Sequence, residues 1–283
     1  MRNLLSIALC LPLAACVIGD ESAGGGADDQ GGITGGGTNG GGGTNDGSIT
    51  GLIAQDTTWN GTVLIGFAGT TTRIDPGVTV TVSPGTTIKF KSGASLDIKG
   101  TLRVQGTSAA KVQIAPAGDN SFGLILGGTL ELTYAVMTGG NIQTNPGSTA
   151  TITDTKMYHA AGDLLIMNGG KVTMDHSQIG PGAGEIETTH CNIHTSGDAN
   201  TISITYSNIN GAPYGLMLYG GQNAIFTNNN WYGNQTHVDT QPGVSADLSG
   251  SWFEGAKPVA GNGATLTETN LAGAKLTTAG VRL

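Results

Sequence analysis

Residues 188–194 read TTHCNIH and place His190, Cys191 and His194 within five positions of one another. The whole chain has only five histidines and three cysteines, so this spacing is distinctive. Imidazole and thiolate are ligands that zinc prefers, and a neighbouring cysteine and histidine can also form a nucleophile with its base. Whether the three side chains can act together depends on the secondary structure that carries them.

The first part of the body is a series of glycine turns, each followed by a short strand with alternating apolar residues. Val80 and Val82 form one such pair, and Ile88 and Phe90 form the next. An alternation with period 2 is typical of strands that bury one face. No stretch of the body has a helical period, so the sequence predicts an all-β fold.

A second repeat is a six-residue word that recurs from residue 132 onwards. Its first and last positions are mostly apolar, its fourth position is small or an amide, and its fifth position is mostly polar. Self-similarity at about twenty residues predicts a solenoid, in which stacked coils share one core. The words are LTYAVM (132–137), ITDTKM (152–157), MDHSQI (174–179), TTHCNI (188–193), ITYSNI (204–209) and FTNNNW (226–231).

Two of the spacings between successive words are short. The words that start at Met174, Thr188 and Ile204 are separated by 14 and then 16 residues, against 20 to 22 elsewhere. Either a strand is missing there, or the alignment of the words slips by a few residues.

These repeats resemble bacterial surface proteins with a right-handed parallel β-helix, the fold that pectate lyases also use. The resemblance covers about residues 52–255 and implies a fold more strongly than an activity. We therefore expect a parallel β-helix over residues 49–255, followed by a coil or cap over residues 256–283. The segments that carry the resemblance are DTTW (56–59), the run from Arg73 to Pro116, the words NIN, NIH and TNNN, and NNWYG (229–233).

The N-terminus, MRNLLSIALCLPLAAC, resembles a bacterial lipoprotein signal. The resemblance implies a signal peptide over residues 1–15 and a lipid, such as palmitate, on Cys16. The alternative is an ordinary secretory signal that contains a cysteine. Residues 16–48 are rich in glycine and predict a flexible tether to a membrane. Because Val17 and not aspartate follows the cysteine, the resemblance favours the outer membrane, facing either the periplasm or the cell surface.

The six-residue words also predict where side chains point. Positions 1, 4 and 6 face the core, position 3 lies at a corner, and positions 5 and 7 face solvent. Cys191 is then buried, and His190 stacks on His176 of the neighbouring coil. His194 lies about 13 Å from His190 along the strand, too far for the two to share a metal ion.

The outward positions of the words form one predicted strip of imidazole, phenol and amide groups. The strip is Tyr158, His176, Gln178, His190, Asn192, His194, Tyr206, Asn208, Asn210, Asn230 and Tyr232.

Three interpretations of the strip remain open. It is a solvated structural face, or it binds glycan, because aromatic faces accept sugar rings and amides bind hydroxyls. The third interpretation is a metal or catalytic site at His176 and His190, with Asp154 or Asp175 as partner. We expect a non-enzymatic structural or glycan-binding role. The alternatives are a polysaccharide lyase or glycoside hydrolase acting on the same strip, and periplasmic metal handling.

The net charge of −8, with only 12 Lys and Arg, argues against nucleic acid or another polyanion as partner. Lyases of this fold use a basic residue near the sugar, and Lys156 is the one cation predicted on the strip, since arginine is absent from residues 104–281. The sequence contains no fingerprint for an organic cofactor. We expect a monomer without a cofactor, whose partners are the membrane and a glycan.

Overall fold

The computed structural model describes residues 42–43, 47–66, 71–119, 121–197 and 200–283. The predicted signal peptide, Cys16 and nearly all of the predicted tether lie outside the described residues. The described residues belong to one compact unit, Gly37–Leu283. Within them there is no helix long and apolar enough to cross a membrane.

The described residues form thirty short strands. In chain order the first fifteen are β1 Gly42–Gly43, β2 Ile49–Thr50, β3 Leu52–Ile53, β4 Thr57–Trp59, β5 Thr62–Ile65, β6 Thr71–Ile74, β7 Thr79–Val82, β8 Thr87–Phe90, β9 Ser95–Ile98, β10 Thr101–Gln105, β11 Val112–Pro116, β12 Phe122–Leu126, β13 Thr129–Thr133, β14 Ala135–Thr138 and β15 Gly140–Thr144. The others are β16 Thr149–Thr153, β17 Lys156–Tyr158, β18 Asp163–Met167, β19 Gly170–Asp175, β20 Gln178–Ile179, β21 Cys191–Thr195, β22 Asn200–Thr205, β23 Asn208–Asn210, β24 Tyr214–Leu218, β25 Ala224–Ile225, β26 Asn230–Tyr232, β27 Thr236–Thr240, β28 Ser245–Asp247, β29 Trp252–Phe253 and β30 Thr265–Thr267.

From β2 to β29 every third strand joins the same sheet, so the strands form three sheets that run the length of a coil stack. Sheet 1 has the order β1-β2-β5-β8-β11-β14-β17-β20-β23-β26-β29. Sheet 2 is β3-β6-β9-β12-β15-β18-β21-β24-β27, and sheet 3 is β4-β7-β10-β13-β16-β19-β22-β25-β28-β30. All neighbours are parallel except β1 and β2. The chain is thus a right-handed parallel β-helix, and the predicted fold class is confirmed.

The core is built by the alternation that the sequence displays. In sheet 3, Leu102 pairs with Val80 on one side and with Leu130 on the other, so that equivalent residues stack. These three residues are at most 1% exposed. Each coil alone could not bury this face, and stacking removes it from water at roughly 25 cal/mol per Å² of apolar surface.

The corner between sheet 3 and sheet 1 is a left-handed turn in successive coils. The third residue of the word adopts a positive φ, a region that costs energy for residues other than glycine. The corner residues are Tyr134 (46°), Asp154 (48°), His176 (44°), Tyr206 (46°) and Asn228 (58°).

The residue after each corner points inward and forms a buried ladder of polar side chains. Ser177 donates its backbone N–H to Oγ of Ser207 at 3.1 Å, and Ser207 donates its own to Oδ1 of Asn229 at 2.8 Å. In the same way, the N–H of Thr155 donates to Oγ of Ser177, and the N–H of Asn229 donates to Oγ of Ser251. The small or amide residue at position 4 of the word is therefore an acceptor for a buried N–H, which would otherwise lack a partner.

The predicted stacking of one six-residue word is wrong. TTHCNI does not stack on its neighbours in sheet 1, because its strand β21 pairs with β18 and β24 in sheet 2. The backbone N–H of Ser177 bonds to Ser207, which is 30 residues further along the chain. The equivalent bonds from Ala135 and Thr155 to the next coil span only 20 and 22 residues. The two short spacings are thus the two parts of one long coil, which has extra residues between β20 and β21.

Loss of one rung of the ladder should destabilise the coil stack. Ser207→Ala removes the acceptor of the Ser177 N–H and the donor to the Thr205 carbonyl. We expect a loss of about 1–3 kcal/mol in the free energy of unfolding, the cost of a buried unpaired group, measured by urea denaturation. The matched change Ser203→Ala, four residues earlier on the outward face, should stay within about 0.5 kcal/mol. Equal effects would show that the ladder is not a significant source of stability.

Candidate functional site

The structure divides the predicted strip between two sheets. Sheet 1 and its corner carry eight of the eleven residues, namely Tyr158, His176, Gln178, Tyr206, Asn208, Asn210, Asn230 and Tyr232. Sheet 2 carries the other three, with Asn192 and His194 on β21 and His190 directly before it.

The predicted stacking of His190 on His176 is wrong. The ring that stacks on His176 is that of Tyr206, at 5.2 Å between centroids and with an interplanar angle of 10°. His190 lies instead beside Tyr214, at 5.3 Å. The error follows from the extra residues before β21, which shift the histidine to another sheet.

Three asparagines that were predicted to face solvent are buried. Asn192 and Asn230 have no exposed surface and Asn210 is 4% exposed. Asn192 donates its amide to the carbonyl of Asn210, and Asn210 donates its own to the carbonyl of Pro181. The amides of Asn192 and Asn210 thus hold the backbone at the coil corners, whereas Asn230 bonds to the main chain of Leu276.

The C-terminal strap, residues 270–283, runs across the outer face of sheet 1. The Ala272 N–H reaches the carbonyl of Ser251, and further along the chain the Gly280 N–H reaches the carbonyl of Tyr206. Lys275 lies 3.4 Å from the centre of the Tyr232 ring. The strap thus covers part of the predicted strip and adds the charge of Lys275 beside Tyr232, while Tyr206 stays 36% exposed.

The end of the strap is fixed by an arginine. Arg282 contacts both carboxylate oxygens of Asp154, with Nε to Oδ1 at 2.9 Å and Nη2 to Oδ2 at 2.7 Å, and its N–H also reaches Oδ1. Asp154 is 2% exposed. Burial raises the pKa of Asp154, but the hydrogen bonds and charge of Arg282 lower it by more, so the pKa lies below the ordinary value.

A second group of polar side chains, the imidazole cluster, lies on the outer face of sheet 2. It begins at Asp163, whose Oδ1 is 2.9 Å from Nδ1 of His190 and whose Oδ2 is 2.6 Å from Nδ1 of His194. The two histidines therefore converge on one carboxylate, and the prediction that they lie in separate places is wrong. Cys191, Asn192 and Ile193 are all buried, so the strand departs from strict alternation between them.

The cluster continues onto the next two strands. The ring of Tyr219 meets His194 edge-on at 5.3 Å, and its hydroxyl donates to Oδ2 of Asp239 at 2.6 Å. This hydrogen bond, with burial second, raises the pKa of Tyr219 to about 12. Asp239 also lines a cleft of about 430 Å³ at the end of sheet 2, together with His237 and Glu254.

Each imidazole of the cluster has a defined orientation. A carboxylate can only accept, so each neutral ring carries its hydrogen on Nδ1 and keeps Nε2 as an acceptor. His190 has 55% of its side chain exposed and His194 has 27%. The cluster thus presents fixed acceptors and aromatic rings to solvent.

Asp163, Tyr214, Tyr219 and Asp239 were missed at the sequence level, although a signal for two of them exists. The words LLIMNGG and GLMLYGG follow Asp163 and Tyr214 directly. Aligning CNIHT with these words, and not with the words of sheet 1, puts the histidines in the correct sheet. Arg282 has no comparable signal, because its contact spans 128 residues.

No group of three or more His, Cys, Asp or Glu in the described part of the chain is arranged to hold a metal ion. Cys191 has no exposed surface, and its thiol lies 3.0 Å from the carbonyl of Ile193. Burial, with the charge of Asp163 second, raises the pKa of Cys191 to about 12. The thiol is thus a packing group and not a nucleophile.

No known protein family, curated protein or solved structure matches this chain.

We expect Cys191 to be inert in the folded protein. A thiol that is buried and protonated at neutral pH reacts slowly with maleimide. Mass spectrometry of peptides should find residue 191 unmodified under native conditions and fully modified in guanidinium. Rapid native modification would contradict the burial of this side chain.

We also expect acid to release the strap. Because the folded pKa of Asp154 is below its ordinary value of about 3.9, the contact with Arg282 is complete above that value and is lost as the pH falls through the folded pKa. Hydrogen exchange should show protection of the strap at neutral pH, and loss of that protection in acid before the coils unfold. Asp154→Asn should remove the protection at neutral pH, and the exposed-site control Asp119→Asn should not. A strap that stays protected in Asp154→Asn would contradict this.

Proposed function

We propose that the protein is a lipid-anchored module of the cell envelope that binds glycan, and that the imidazole cluster with its neighbouring cleft is the binding site. The observation that carries the proposal is the pair of ring contacts, His190 with Tyr214 and His194 with Tyr219, fixed by two carboxylates. The strap occupies part of the outer face of sheet 1, so we place the glycan site on sheet 2.

The chemistry of the cluster suits a sugar. Aromatic rings offer apolar surface to the C–H face of a pyranose, and carboxylates and imidazole nitrogens accept hydrogen bonds from its hydroxyls. Asp163, Asp239 and Glu254 make this region acidic. A neutral or amino-bearing glycan fits this charge better than a polyanion does.

The rigidity of the site also supports binding. His194 is on β21 and Tyr219 directly follows β24, and these neighbouring strands are parallel. Nδ1 of His194 and the hydroxyl of Tyr219 each have a carboxylate partner that holds the side chain in place, so few rotamers are lost when a ligand binds at the free Nε2. A preorganised but shallow site predicts modest affinity for a single glycan unit.

The anchor belongs to the same proposal and rests on the sequence alone. A lipid on Cys16 with a tether over residues 16–48 would hold the β-helix near the outer membrane. Several copies on one surface would then bind a repeating glycan together, which raises the overall affinity without any new contact.

Glycoside hydrolysis is a second candidate, favoured by one observation. Asp239 and Glu254 line the same cleft. A pair of carboxylates about 5–10 Å apart is the minimum that hydrolysis requires. Turnover distinguishes this candidate, because a hydrolase releases new reducing ends and a binding module does not.

The test uses the mature chain with Cys16 replaced by Ser, screened against an array of neutral and amino-bearing glycans. For the best glycan, Tyr219→Phe should weaken binding, because it keeps the ring but removes the hydroxyl that fixes Asp239. His194→Ala should weaken binding by about tenfold or more, or 1.4 kcal/mol, through loss of the ring and of its Nε2. Titration calorimetry gives both dissociation constants.

The matched controls are on sheet 1. Tyr158→Phe and His176→Ala make the same changes outside the imidazole cluster and should leave affinity within about twofold. Glycan binding that responds to the sheet 1 variants and not to the sheet 2 variants would overturn the site. The absence of any binding across the array would leave a structural role.

A further inference from the structure

The strap is held by polar contacts and buries little apolar surface. Leu271 packs against the core at its start, and beyond it Gly280 is the one buried residue of the strap. Segments with few buried apolar contacts open at low free energy while the rest of a protein stays folded. The strap therefore has the properties of a segment that lifts and docks again.

The groove beneath the strap recognises the polypeptide backbone. The side-chain amide of Asn230 donates to the carbonyl of Leu276 at 2.9 Å and accepts from the N–H of Leu276 at 2.8 Å. A further rung is the contact from the Gly280 N–H to the carbonyl of Tyr206. A Cβ at Gly280 would lie 2.5 Å from Nδ2 of Asn208, so the groove selects glycine at this point.

The groove also requires a cation at its far end. Asp154 is buried beneath Arg282, and Asp175 lies close enough to affect the same guanidinium. When the strap lifts, Asp154 loses its cation while Asp175 remains nearby, so the open groove presents negative charge that attracts a positive side chain. The two-point contact with Asp154 fits the planar fork of an arginine and not the single ammonium of a lysine.

The connection between the last strand and the strap is short and strained. β30 ends at Thr267, and the chain turns at Asn270, where φ is 52°. Short connections that hold a strained turn favour the exchange of the element that follows them between two copies, because opening the turn releases the strain.

We propose that the outer face of sheet 1, from Asp154 to Ser251, is an interface for a second copy of this chain, which docks its own strap in this groove. Two copies that exchange straps gain two identical contacts related by a two-fold axis. In dilute solution the strap stays in its own groove, because a short connection gives it a high effective concentration there. Crowding of copies favours the exchanged pair.

The test pairs two full-length variants that each lack one half of the contact. Asp154→Asn has an intact strap and an impaired groove, while Arg282→Glu has an intact groove and a strap that Asp154 repels. Each variant alone should remain monomeric in sedimentation velocity. An equimolar mixture should form a one-to-one dimer, at least about tenfold more than either variant alone.

Three further measurements make the test decisive. Circular dichroism shows that both variants are folded. Adding Gly280→Ala to the Asp154→Asn copy, which supplies the strap, should abolish the mixed dimer, while Gly273→Ala, at a position with open space around it, should not. A mixture that stays monomeric at the highest concentration reached would overturn the proposal, and so would a mixed dimer that survives Gly280→Ala. Neither result bears on glycan binding at sheet 2.

Discussion

The fold depends on how the chain satisfies its backbone N–H groups at the corner between sheets 3 and 1. A left-handed residue there turns the chain sharply, and the next N–H points into the interior, where no carbonyl of its own coil can reach it. A hydroxyl or amide from the following coil accepts it, as Ser207 does for Ser177. Each coil thus completes the hydrogen bonding of the coil before it, which explains why a polar residue is found in the core at this position.

Because of this constraint, the fold could be predicted from the sequence. The inward acceptor must be small or an amide, so position 4 of the word stands out between apolar residues, and the alternation of Val80 and Val82 marks the strands that follow a turn. The directions predicted from the words hold for Thr155, Ser177 and Ser207. For TTHCNI the burial of Cys191 is also as predicted, but the sheet is wrong, because a small buried residue meets the same requirement in sheet 2, and Asn192 is buried where an outward side chain was expected. Composition alone could not distinguish the two environments.

The site was predicted less well, for two physical reasons. The imidazole cluster depends on Asp163, which lies 31 residues before His194 and meets it only because β18 and β21 are neighbours. The coverage of sheet 1 depends on Arg282, a single charge near the end of the chain. The residues of the predicted strip were correct in chemical type, but which of them face solvent is decided by tertiary contacts. Asn230 illustrates this, since its outward amide is buried by Leu276.

The two outer faces are suited to different partners. Sheet 1 presents the amide of Asn230, which bonds to a peptide backbone, and the buried carboxylate of Asp154. It already holds the strap, in which Gly280 lies two residues before Arg282. Sheet 2 presents rings and acceptors with no comparable occupant among the described residues. A glycan has no cation to satisfy Asp154, so it would leave that carboxylate unpaired, whereas the half-exposed His190 and the phenol of Tyr219 accept a polar, uncharged ligand without such a cost. Charge compensation thus favours a protein partner for sheet 1 and a sugar for sheet 2.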